Sequence, residues 1–370
     1  MSKHIVIDAR EYSSSSGRYI RKLLFNLEQI DTGYRYTVLL HSKDINAYQP
    51  KAANFTKLIV PYEKFTFAEQ IQYPLFLYRL KPDLVHFTFA NQPILYRFAK
   101  VTAVLDLTAT RFNLALGINR LVSPIRRKIY RFVVSSAVRH SRRVITISNF
   151  VKDDLVKTFG APASRISVTY SASDHINNKP IPISSLQGTR FIMYVGRVQS
   201  HKNIVRLIDA FRLLRVSHPE LKLVLVGKKD LAYESLEKYV ARTKGEGIVF
   251  TDFVSDAELK WLYQRTSAYV FPSLSEGFGL PALEAMQHGA PVVSSNATCL
   301  PEIYEDAALY FNPLNIEDMA TKIDRVITDT NFRKVLISKG RQQAKKFSWR
   351  TMAEQTLDVY TSVLNKRRRL

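Results

Sequence analysis

The sequence has little cysteine, few acidic side chains and no long apolar run. Its single cysteine, Cys299, excludes an internal disulfide and a thiolate metal cluster, and we expect it to be a small buried hydrophobe. No uncharged apolar run approaches the roughly 18 residues of a membrane-spanning helix. The N-terminal stretch MSKHIVIDAR lacks the apolar centre of a signal peptide. These absences predict a cytoplasmic protein.

Acidic residues are outnumbered by basic ones. The chain has 54 Lys and Arg against 32 Asp and Glu, which gives a net charge of +22 at pH 7. Residues 1–187 carry 27 Lys and Arg against 12 Asp and Glu, so the front half holds 15 of the 22 excess charges. An excess of this size indicates an acidic partner, for which nucleic acid, anionic lipid and phosphorylated substrates all qualify.

The sequence also lacks the common phosphate-binding and metal-binding signatures of nucleotide enzymes. Neither GxGxxG nor GxxxxGK[ST] occurs, and there is no DxD triplet. Gly17, which follows four consecutive serines, is a weak sign of a phosphate-binding loop. Any site for a nucleotide must therefore be built in another way.

Short apolar runs alternate with amphipathic segments along the whole chain. Runs of the buried-strand type include HIVID, YTVLL and DLVHFT in the front half, and FIMYVG, LKLVLVG and AYVFPS in the rear half. Segments with helical spacing lie between them, such as GRYIRKLLFNLEQI and NIVRLIDAFRLLRV. This alternation predicts an α/β fold with parallel sheets covered by helices.

A chain of 370 residues is longer than one hydrophobic core usually serves, so two doubly wound domains are expected. The segment NNKPIPISSLQGT is rich in Pro, Asn, Ser and Gly and predicts the linker. We therefore expect a first domain over residues 1–180, a second over 181–345, and a terminal helix over 346–370 that packs back toward the first. Ligands should lie at the carboxyl ends of the strands, facing a cleft between the domains.

Two glutamates flank a Gly-Phe-Gly turn in the stretch SLSEGFGLPALEAMQHG. Pro281 suits the first position of a helix, and Glu284 is then expected in the first turn, where the helix dipole favours a carboxylate. Gly277 and Gly279 would let the backbone approach a ligand closely. Carboxylates such as Glu276 and Glu284 accept hydrogen bonds from vicinal hydroxyls, while N–H groups at a helix start bind phosphate. The pattern indicates a site for a phosphorylated, polyhydroxylated ligand; a helix-terminal charge and a solvated turn residue are the alternatives.

A pair of basic residues follows the strand FIMYV. Arg197 comes just after this strand and Lys202 just before the next helix. An Arg fork and a Lys point charge at a helix start can form a diphosphate site, although such residues are often simply solvated. The neighbouring His201 is expected to be a bystander.

The segment from Glu276 to Glu284, EGFGLPALE, resembles the E-x7-E signature of retaining glycosyltransferases of family four, which have the GT-B fold. The segments AMQHGAPVVSSNATCLPEIYEDAALYFNPLN and YVGRVQSHKNIVRLIDAF are similar to other parts of the same family. The resemblance covers almost all of the rear domain and is patchier in the front domain. It implies two Rossmann-like domains and transfer of a hexose, with retention, from a nucleotide diphosphate sugar to a hydroxyl of a glycan or lipid-linked acceptor in surface polysaccharide synthesis.

The resemblance also implies a role for each residue of these motifs. Arg197 and Lys202 would neutralise the leaving diphosphate, so that no metal and no separate cofactor is required. Glu284 would hold the ribose, and Glu276 would hold the hexose or, alternatively, act as a nucleophile. The loop that contains Gly17 would border the donor phosphate. The backbone groups expected to orient sugar and phosphate belong to Gly277, Phe278, Gly279 and Leu280. GDP-mannose is slightly favoured as the donor.

Three features of the front domain bear on this interpretation, and the first departs from the pattern of the family. Relatives often carry a His-Asp pair at the end of the strand VTAVLDL, where this sequence has Leu105 followed by Asp106. His86 is another candidate for a cleft-facing residue, with a structural role as the alternative. Ser148 or Asn149 is expected to cap the helix that follows TIS.

The segment over residues 119–144 is both basic and amphipathic. Arg126, Arg127 and Lys128 lie there between the apolar residues Ile125 and Ile129. This pattern predicts a helix that lies on anionic lipid at the inner face of the cell membrane, with a solvated helix face as the alternative. The basic C-terminal tail KRRRL would add to the attraction.

Other classes of function remain open from the sequence. A sugar-nucleotide epimerase shares the fold and the donor site, and a catalytically inactive scaffold is also conceivable. A nucleic-acid-binding protein would explain the charge, but the sequence has no recognised nucleic-acid-binding module, so nucleic acid is not the expected partner.

Overall fold

The computed structural model describes residues 2–14, 17–112, 123–243 and 245–365. The chain divides into two compact units. The first contains Met1–Thr110, Ile118–Ser171 and Ser348–Leu370, and the second contains Arg111–Gly117 and Ala172–Phe347. The sequence placed the changes between the units at residues 180 and 345. The earlier change has a physical reason, since the Nζ atom of Lys260 donates to the carbonyls of Ile176 and Asn178 and packs this segment on the second unit.

A parallel sheet forms the centre of the first unit, with strands in the order β3-β2-β1-β4-β5-β6-β7. Its central strand β1 is buried along its whole length because helices cover both faces. The strands are β1 His4–Asp8, β2 Arg35–Leu40, β3 Phe55–Ile59, β4 Leu84–Phe87, β5 Lys100–Ala103, β6 Arg143–Thr146 and β7 Ile166–Val168. The helices are α1 Arg18–Ile30, α2 Phe67–Leu80, α3 Thr108–Arg111, α4 Ser123–His140 and α5 Asn149–Phe159.

The second unit repeats this arrangement around a parallel sheet with the order β10-β9-β8-β11-β12-β13. Its strands are β8 Phe191–Val195, β9 Lys222–Val226, β10 Ile248–Asp252, β11 Ala268–Phe271, β12 Val292–Ser295 and β13 Ala308–Phe311. Its helices are α6 Ile204–Ser217, α7 Leu231–Arg242, α8 Asp256–Arg265, α9 Leu280–Gln287, α10 Leu300–Tyr304, α11 Ile316–Thr328 and α12 Thr330–Ala344.

The last helix, α13 (Trp349–Leu364), is part of the first unit and packs against α1. The hydroxyl of Tyr34 lies 3.1 Å from the hydroxyl of Thr361, and the buried Tyr360 hydroxyl lies 2.6 Å from the Nδ1 atom of His86. His86 is completely buried, and burial lowers its pKa to about 3. His86 therefore has the structural role that the sequence analysis gave as the alternative to a cleft-facing one: its ring anchors the terminal helix on strand β4.

Helix α5 begins as the sequence predicts. The hydroxyl of Ser148 accepts a hydrogen bond of 3.3 Å from the backbone N–H of Val151, which confirms Ser148 as the cap. Asn149 is already the first helical residue, and its side-chain amide donates to the hydroxyl of Tyr170 at 2.6 Å. The polar pair is thus explained by local structure.

In both sheets the direction of the connections reverses beside the first strand. The chain moves one way from β1 to β3 and then returns past β1 to β4; in the second sheet it makes the same reversal between β10 and β11. In open parallel sheets this reversal opens a crevice at the carboxyl ends of the two central strands, where ligands bind. In the second unit these strands are β8 and β11.

Candidate functional site

The loops after β8 and β11 carry the two groups of residues that the sequence singled out. Strand β8 ends at Val195, and Arg197 and Lys202 lie in the segment that leads to α6. Strand β11 ends at Phe271, and Glu276 lies in the segment that leads to α9. Because β8 and β11 are neighbouring strands that run parallel, both segments leave the sheet at its carboxyl edge.

The structure joins one residue of each group in an ion pair. The Nζ atom of Lys202 lies 2.7 Å from the Oε1 atom of Glu276, and the two side chains are 18% and 13% exposed. From the sequence we expected Lys202 to bind a phosphate and Glu276 to bind a sugar, and contact between the two was not expected. Their pairing means that each charge is already held in position by the other.

Buried aromatic rings surround this ion pair. The Nζ atom of Lys202 is 5.9 Å from the centre of the Phe271 ring. Tyr194 is buried on β8, and burial, together with the charge of Glu276, raises the pKa of its hydroxyl well above the ordinary range. The weakly polar surroundings strengthen the attraction between Lys202 and Glu276 relative to the same pair in water.

His201 is a closer neighbour of the site than the sequence indicated. Its side chain is 5% exposed, and its backbone carbonyl accepts a hydrogen bond of 2.7 Å from the N–H of Leu274. The pKa of His201 is lowered to about 4, first by burial and next by the charge of Lys202, while the charge of Glu276 opposes the change. The imidazole is therefore neutral at pH 7. Its Nδ1 atom is buried and has no hydrogen-bond partner among the described residues.

Asn203 is a positioning residue that the sequence analysis missed. It has a left-handed backbone with φ of 59°, and its side-chain amide donates to the carbonyls of Pro272 at 3.1 Å and Pro313 at 2.7 Å. These bonds tie the residue after Lys202 to the loop that carries Glu276. A signal was present, since asparagine is enriched at left-handed positions and before helices.

The turn before α9 is shaped by a packed glycine. Gly279 has φ of 93°, and a Cβ atom on it would lie 2.0 Å from the hydroxyl of Tyr304. That hydroxyl donates to the Gly279 carbonyl at 2.7 Å. The side chain of Phe278 is buried and meets the Phe347 ring edge-on, with centres 5.4 Å apart. Only the main chain of Phe278 can therefore serve a ligand.

The position of Glu284 differs from the expectation. Helix α9 begins at Leu280, so Pro281 is its second residue and Glu284 its fifth, beyond the first turn. The prediction of a first-turn carboxylate is wrong because the left-handed Gly279 starts the helix one residue earlier. The dipole acts mainly on the first turn, so it does not account for Glu284. The residue is instead a carboxylate that is only 8% exposed.

Two glycines bring the loops after β8 and β9 together. The N–H of Gly196 donates to the carbonyl of Val226 at 2.9 Å, and a Cβ atom on Gly227 would lie 2.4 Å from the Gly196 carbonyl oxygen. Arg197 follows on this close-packed backbone, and its exposed guanidinium has no partner among the described residues. The guanidinium is therefore available to a ligand.

Gly17 belongs to the first unit, where it packs within its own loop. Its N–H donates to the carbonyl of Ser14 at 2.9 Å, and a Cβ atom would lie 2.1 Å from the carbonyl oxygen of Tyr12. A glycine is thus required there for packing alone. The assignment of Gly17 and of the residues above to a donor site stays a prediction.

Another polar group lies at the carboxyl end of β1 and was not anticipated. The guanidinium of Arg10 donates to both carboxylate oxygens of Asp8 and, at 3.0 Å, to Glu69. It also lies over the ring of Tyr73 at 4.4 Å and donates to the carbonyl of Tyr62. Since Arg10, Asp8 and Glu69 are all buried, this paired group is best explained as a structural support of the first sheet's carboxyl edge.

Cys299 confirms its expected role as a buried hydrophobe. It is completely buried at the start of α10, and burial raises the pKa of its thiol well above the ordinary value. Its Sγ atom is 3.4 Å from the backbone carbonyl of Glu276. Within the described part of the chain, no three His, Cys, Asp or Glu side chains come together as a metal site.

Two tandem units, each with a parallel sheet in the Rossmann order, define the GT-B class of proteins. A family model described as "Glycosyl transferases group 1" matches residues 178–343, and one described as "Glycosyltransferase Family 4" matches residues 16–175. The two models together match most of the chain. The chain belongs to the GT-B glycosyltransferases of family four.

Individual proteins support this assignment. The O-antigen chain mannosyltransferase B of Escherichia coli is 35% identical over 233 residues, which is 60% of this chain and 60% of that protein. The match thus spans less than two thirds of the relative. The sucrose-phosphate synthase of Thermosynechococcus elongatus has a TM-score of 0.79 at 18% identity, over 99% of this chain and 100% of that one. The Anabaena protein HepE, in complex with UDP and glucose, has a TM-score of 0.71 at 19% identity, over 98% and 100%.

Proposed function

We propose that this protein transfers a hexose from a nucleotide diphosphate sugar to a hydroxyl of a glycan or lipid-linked acceptor during surface polysaccharide synthesis. The observation that carries the proposal is the pair of Lys202 and Glu276 at the reversal point of the second sheet, in a chain of family four. A cation and a carboxylate side by side match a donor whose phosphates are anionic and whose sugar presents hydroxyls.

The proposed phosphate site consists of Arg197 and Lys202. Negative charge grows on the diphosphate as it leaves the sugar, and cations aimed at that position stabilise the transition state more than the bound donor. Each charge-assisted hydrogen bond contributes about 1.5–3 kcal/mol. These two side chains supply fixed positive charge, so the proposal requires no metal ion.

The proposed sugar and ribose sites use the two carboxylates. When the diphosphate takes Lys202, Glu276 is left to accept hydrogen bonds from hexose hydroxyls. Glu284 is the proposed ribose residue, because one carboxylate can accept hydrogen bonds from both vicinal hydroxyls of a ribose. The backbone N–H groups of the turn that leads into α9, from Gly277 to Leu280, are the proposed donors to sugar and phosphate oxygens, since the positive end of the helix dipole favours anionic groups there.

Retention of configuration is part of the proposal. Attack from the same face, with the leaving phosphate accepting the proton of the acceptor hydroxyl, requires no protein base. This route fits a chain in which Leu105 stands where relatives often carry histidine. Once Lys202 contacts the diphosphate, hydrogen bonds from hexose hydroxyls would occupy the carboxylate of Glu276, which favours the role of a hydroxyl acceptor over a covalent one.

GDP-mannose is the proposed donor, since the E. coli relative is a mannosyltransferase. A thermal-shift panel of GDP-, UDP-, dTDP- and ADP-sugars tests this choice, because a ligand that binds only the folded protein raises Tm with its affinity. We expect the largest rise with GDP-mannose. A larger rise with a UDP-sugar, as the HepE complex allows, would change the donor; no rise with any of them would contradict the proposed site.

An assay with an added acceptor distinguishes glycosyl transfer from epimerisation. A glycosyltransferase consumes the donor faster when a lipid-linked or glycan acceptor is added, whereas an epimerase yields the same product at the same rate without it. Consumption that is indifferent to every acceptor offered, with an epimerised sugar nucleotide as the product, would favour the epimerase.

The proposed location is the inner face of the cell membrane, with helix α4 lying on anionic lipid. Ile125, Ile129 and Phe132 recur at helical spacing on α4 and are 60%, 51% and 62% exposed. Arg127 and Lys128 are exposed beside them. Apolar residues between cations are typical of interfacial helices. No helix within the described ranges is long and apolar enough to cross a membrane. Residues 119–122, the side chain of Arg126 and the tail 366–370 lie outside the described residues.

A further inference from the structure

A cavity of about 1300 Å³ opens at the amino edge of the first sheet. Strands β1, β4, β5 and β6 all begin at this edge because the sheet is parallel, and the residues just before them line the cavity. The residues at the ends of α2, α4 and α13 complete the wall. All lining residues belong to the first unit, and none is part of the site on the second unit.

The wall of this cavity is strongly basic. Asp83 is the one acidic residue among its lining residues, and it is already paired, since Lys3 lies 2.9 Å from it and the N–H of His4 donates to it at 2.8 Å. Arg143 donates to the carbonyl of Ser164. The remaining cations of the wall are Lys81, Arg97, Arg139, Arg142 and Arg165. None of these five forms an ion pair with a carboxylate in the described part of the chain.

The negative ends of nearby helix dipoles offset only part of this positive charge. Three helices, α2, α4 and α13, end at the cavity, and each C-terminus carries roughly half a negative charge. Together they offset about 1.5 of the five unpaired positive charges. An excess of more than three charges therefore remains, and like charges gathered in one concave wall repel one another unless an anion joins them.

A buried lysine behind the wall is affected by the same positive charge. Lys100 is the completely buried first residue of β5 and follows Ala99, which lines the cavity. Its Nζ atom donates to the carbonyl of Tyr96 at 2.8 Å. Burial, and next the charge of Arg97, lower the pKa of Lys100 to about 8. The wall thus places its charge close enough to affect an amine inside the fold.

We propose that this cavity is a second anion site, which binds a compound with two or more phosphate groups. Guanidinium groups match phosphate oxygens in pairs, and four of the five unpaired cations are arginines. Phe98 is 54% exposed in the same wall and offers an apolar surface to an organic group attached to the phosphates. A concave wall suits a compact polyphosphate better than a long polynucleotide. The source is a soluble phosphate ester or a lipid headgroup, which share this chemistry.

Titration calorimetry with tripolyphosphate tests the proposal. The donor site would also attract this anion, so the protein used carries Arg197→Ala and Lys202→Ala, and a failed donor assignment cannot be confused with a failed cavity. We expect saturable binding near one anion per chain. Adding Arg139→Glu and Arg142→Glu should weaken it by about tenfold or more, because two charge-assisted contacts are reversed. The matched control is Lys43→Glu with Lys51→Glu, two exposed lysines of the same unit, which should change it by less than about twofold.

Further arms identify the source and the alternatives. For the vesicle experiment the protein also carries Arg127→Glu and Lys128→Glu, so that binding through α4 does not mask binding at the cavity. Sedimentation of this protein with vesicles of phosphatidylcholine and cardiolipin that is lost on adding Arg139→Glu and Arg142→Glu indicates a lipid headgroup; tripolyphosphate binding without vesicle binding indicates a soluble compound. Equal weakening by both double variants overturns the proposal in favour of general charge attraction. Absence of saturable binding in every arm also overturns it, and so does affinity for oligonucleotides that grows with their length. Arg165→Glu repeats the test at an exposed position if the first variant is less stable.

Discussion

The Nζ atom of Lys202 lies 2.7 Å from Glu276, so these two charges of the proposed donor site are paired before a ligand arrives. In the proposed site an incoming diphosphate would compete with Glu276 for Lys202, and sugar hydroxyls would supply new hydrogen-bond donors to the freed carboxylate. At the residue scale, the proposal therefore couples binding of phosphate and binding of sugar through one exchange of partners.

Replacing Lys202 by glutamine should lower kcat by a larger factor than it lowers the folded fraction of the protein. The lysine faces charge that grows in the transition state, and removal of one such donor costs about 100-fold or more in kcat. Initial rates with saturating donor measure the effect, and urea unfolding measures stability. Lys238→Gln on the exposed face of α7 is the matched control. A rate that falls only as far as the folded fraction falls would mark Lys202 as structural.

Replacing Glu284 by glutamine should weaken donor binding. The substitution keeps the size but removes the charge that strengthens both hydrogen bonds to the ribose, so the donor Kd should rise by about tenfold or more. Calorimetry with the donor and with its nucleoside diphosphate measures it. The exposed Glu317→Gln on α11 serves as the control. An unchanged Kd would remove the ribose assignment.

At the scale of elements, the start of α9 depends on one contact between two segments. Gly279 is left-handed, and its missing side chain leaves room for the hydroxyl of Tyr304 on α10. The turn that presents the main-chain N–H groups is therefore held by the packing of α10 and by its own glycine. Loss of this contact should move the helix start and both glutamates that flank it.

Gly279→Ala should destabilise the protein by about 2 kcal/mol or more, since a left-handed alanine costs about 1–2 kcal/mol before the clash is added. Tyr304→Phe alone should cost about 1 kcal/mol through its lost hydrogen bond. The double variant should lose less than the sum, because the phenylalanine removes the closest clashing atom. Urea unfolding of all four proteins gives the coupling. Additive losses would show that the contact does not shape the turn.

Helix α4 gives the second prediction at this scale. Arg127→Glu with Lys128→Glu should release the protein from anionic vesicles, because each basic residue near the surface contributes about 1 kcal/mol to attraction. Co-sedimentation with phosphatidylglycerol vesicles, with phosphatidylcholine as the uncharged reference, measures the release. The variant Lys43→Glu with Lys51→Glu removes the same charge from elsewhere on the first unit. Equal release by both variants would mean that net charge, rather than α4, binds the vesicle.

At the scale of the whole molecule, four buried histidines with lowered pKa values should make folding sensitive to mild acid. Burial is the largest cause in each case: it lowers the pKa of His4, that of His86 to about 3, and those of His201 and His288 to about 4. The unfolded chain titrates near 6.5 and so binds more protons than the folded chain between about pH 4 and 6.5. Stability is therefore complete above pH 6.5 and declines as the pH falls.

Each such histidine contributes a slope of up to about 1.4 kcal/mol per pH unit. Urea unfolding at pH 7, 6 and 5 should show this decline. Removing one of the four, by His288→Gln, should lower the total slope. The exposed His140→Gln is the control. A free energy of unfolding that is constant over this range would contradict the prediction.

Much of the architecture was accessible from the sequence, because its signals are local. Apolar runs such as HIVID and FIMYV predict buried strands from their composition alone, and Ser148 predicts a helix start from the bonds that a serine can make. The features that the sequence left open or misplaced depend on distant contacts. Tyr360 buries His86, and Gly279, packed under Tyr304, starts α9 one residue early and carries Glu284 past the first turn.

The sequence by itself determined that two parallel-sheet units would form and that Arg197, Lys202, Glu276 and Glu284 would lie on segments next to strand ends, since periodicity and turn chemistry act over a few residues. Only the tertiary structure decided that Lys202 would pair with Glu276, 74 residues later, and that basic residues near the starts of β1, β5 and β6 and the ends of α2 and α4 would share one cavity. The reason is the order of the strands: β8 lies beside β11, and β1 beside β4, because the chain reverses direction across each sheet.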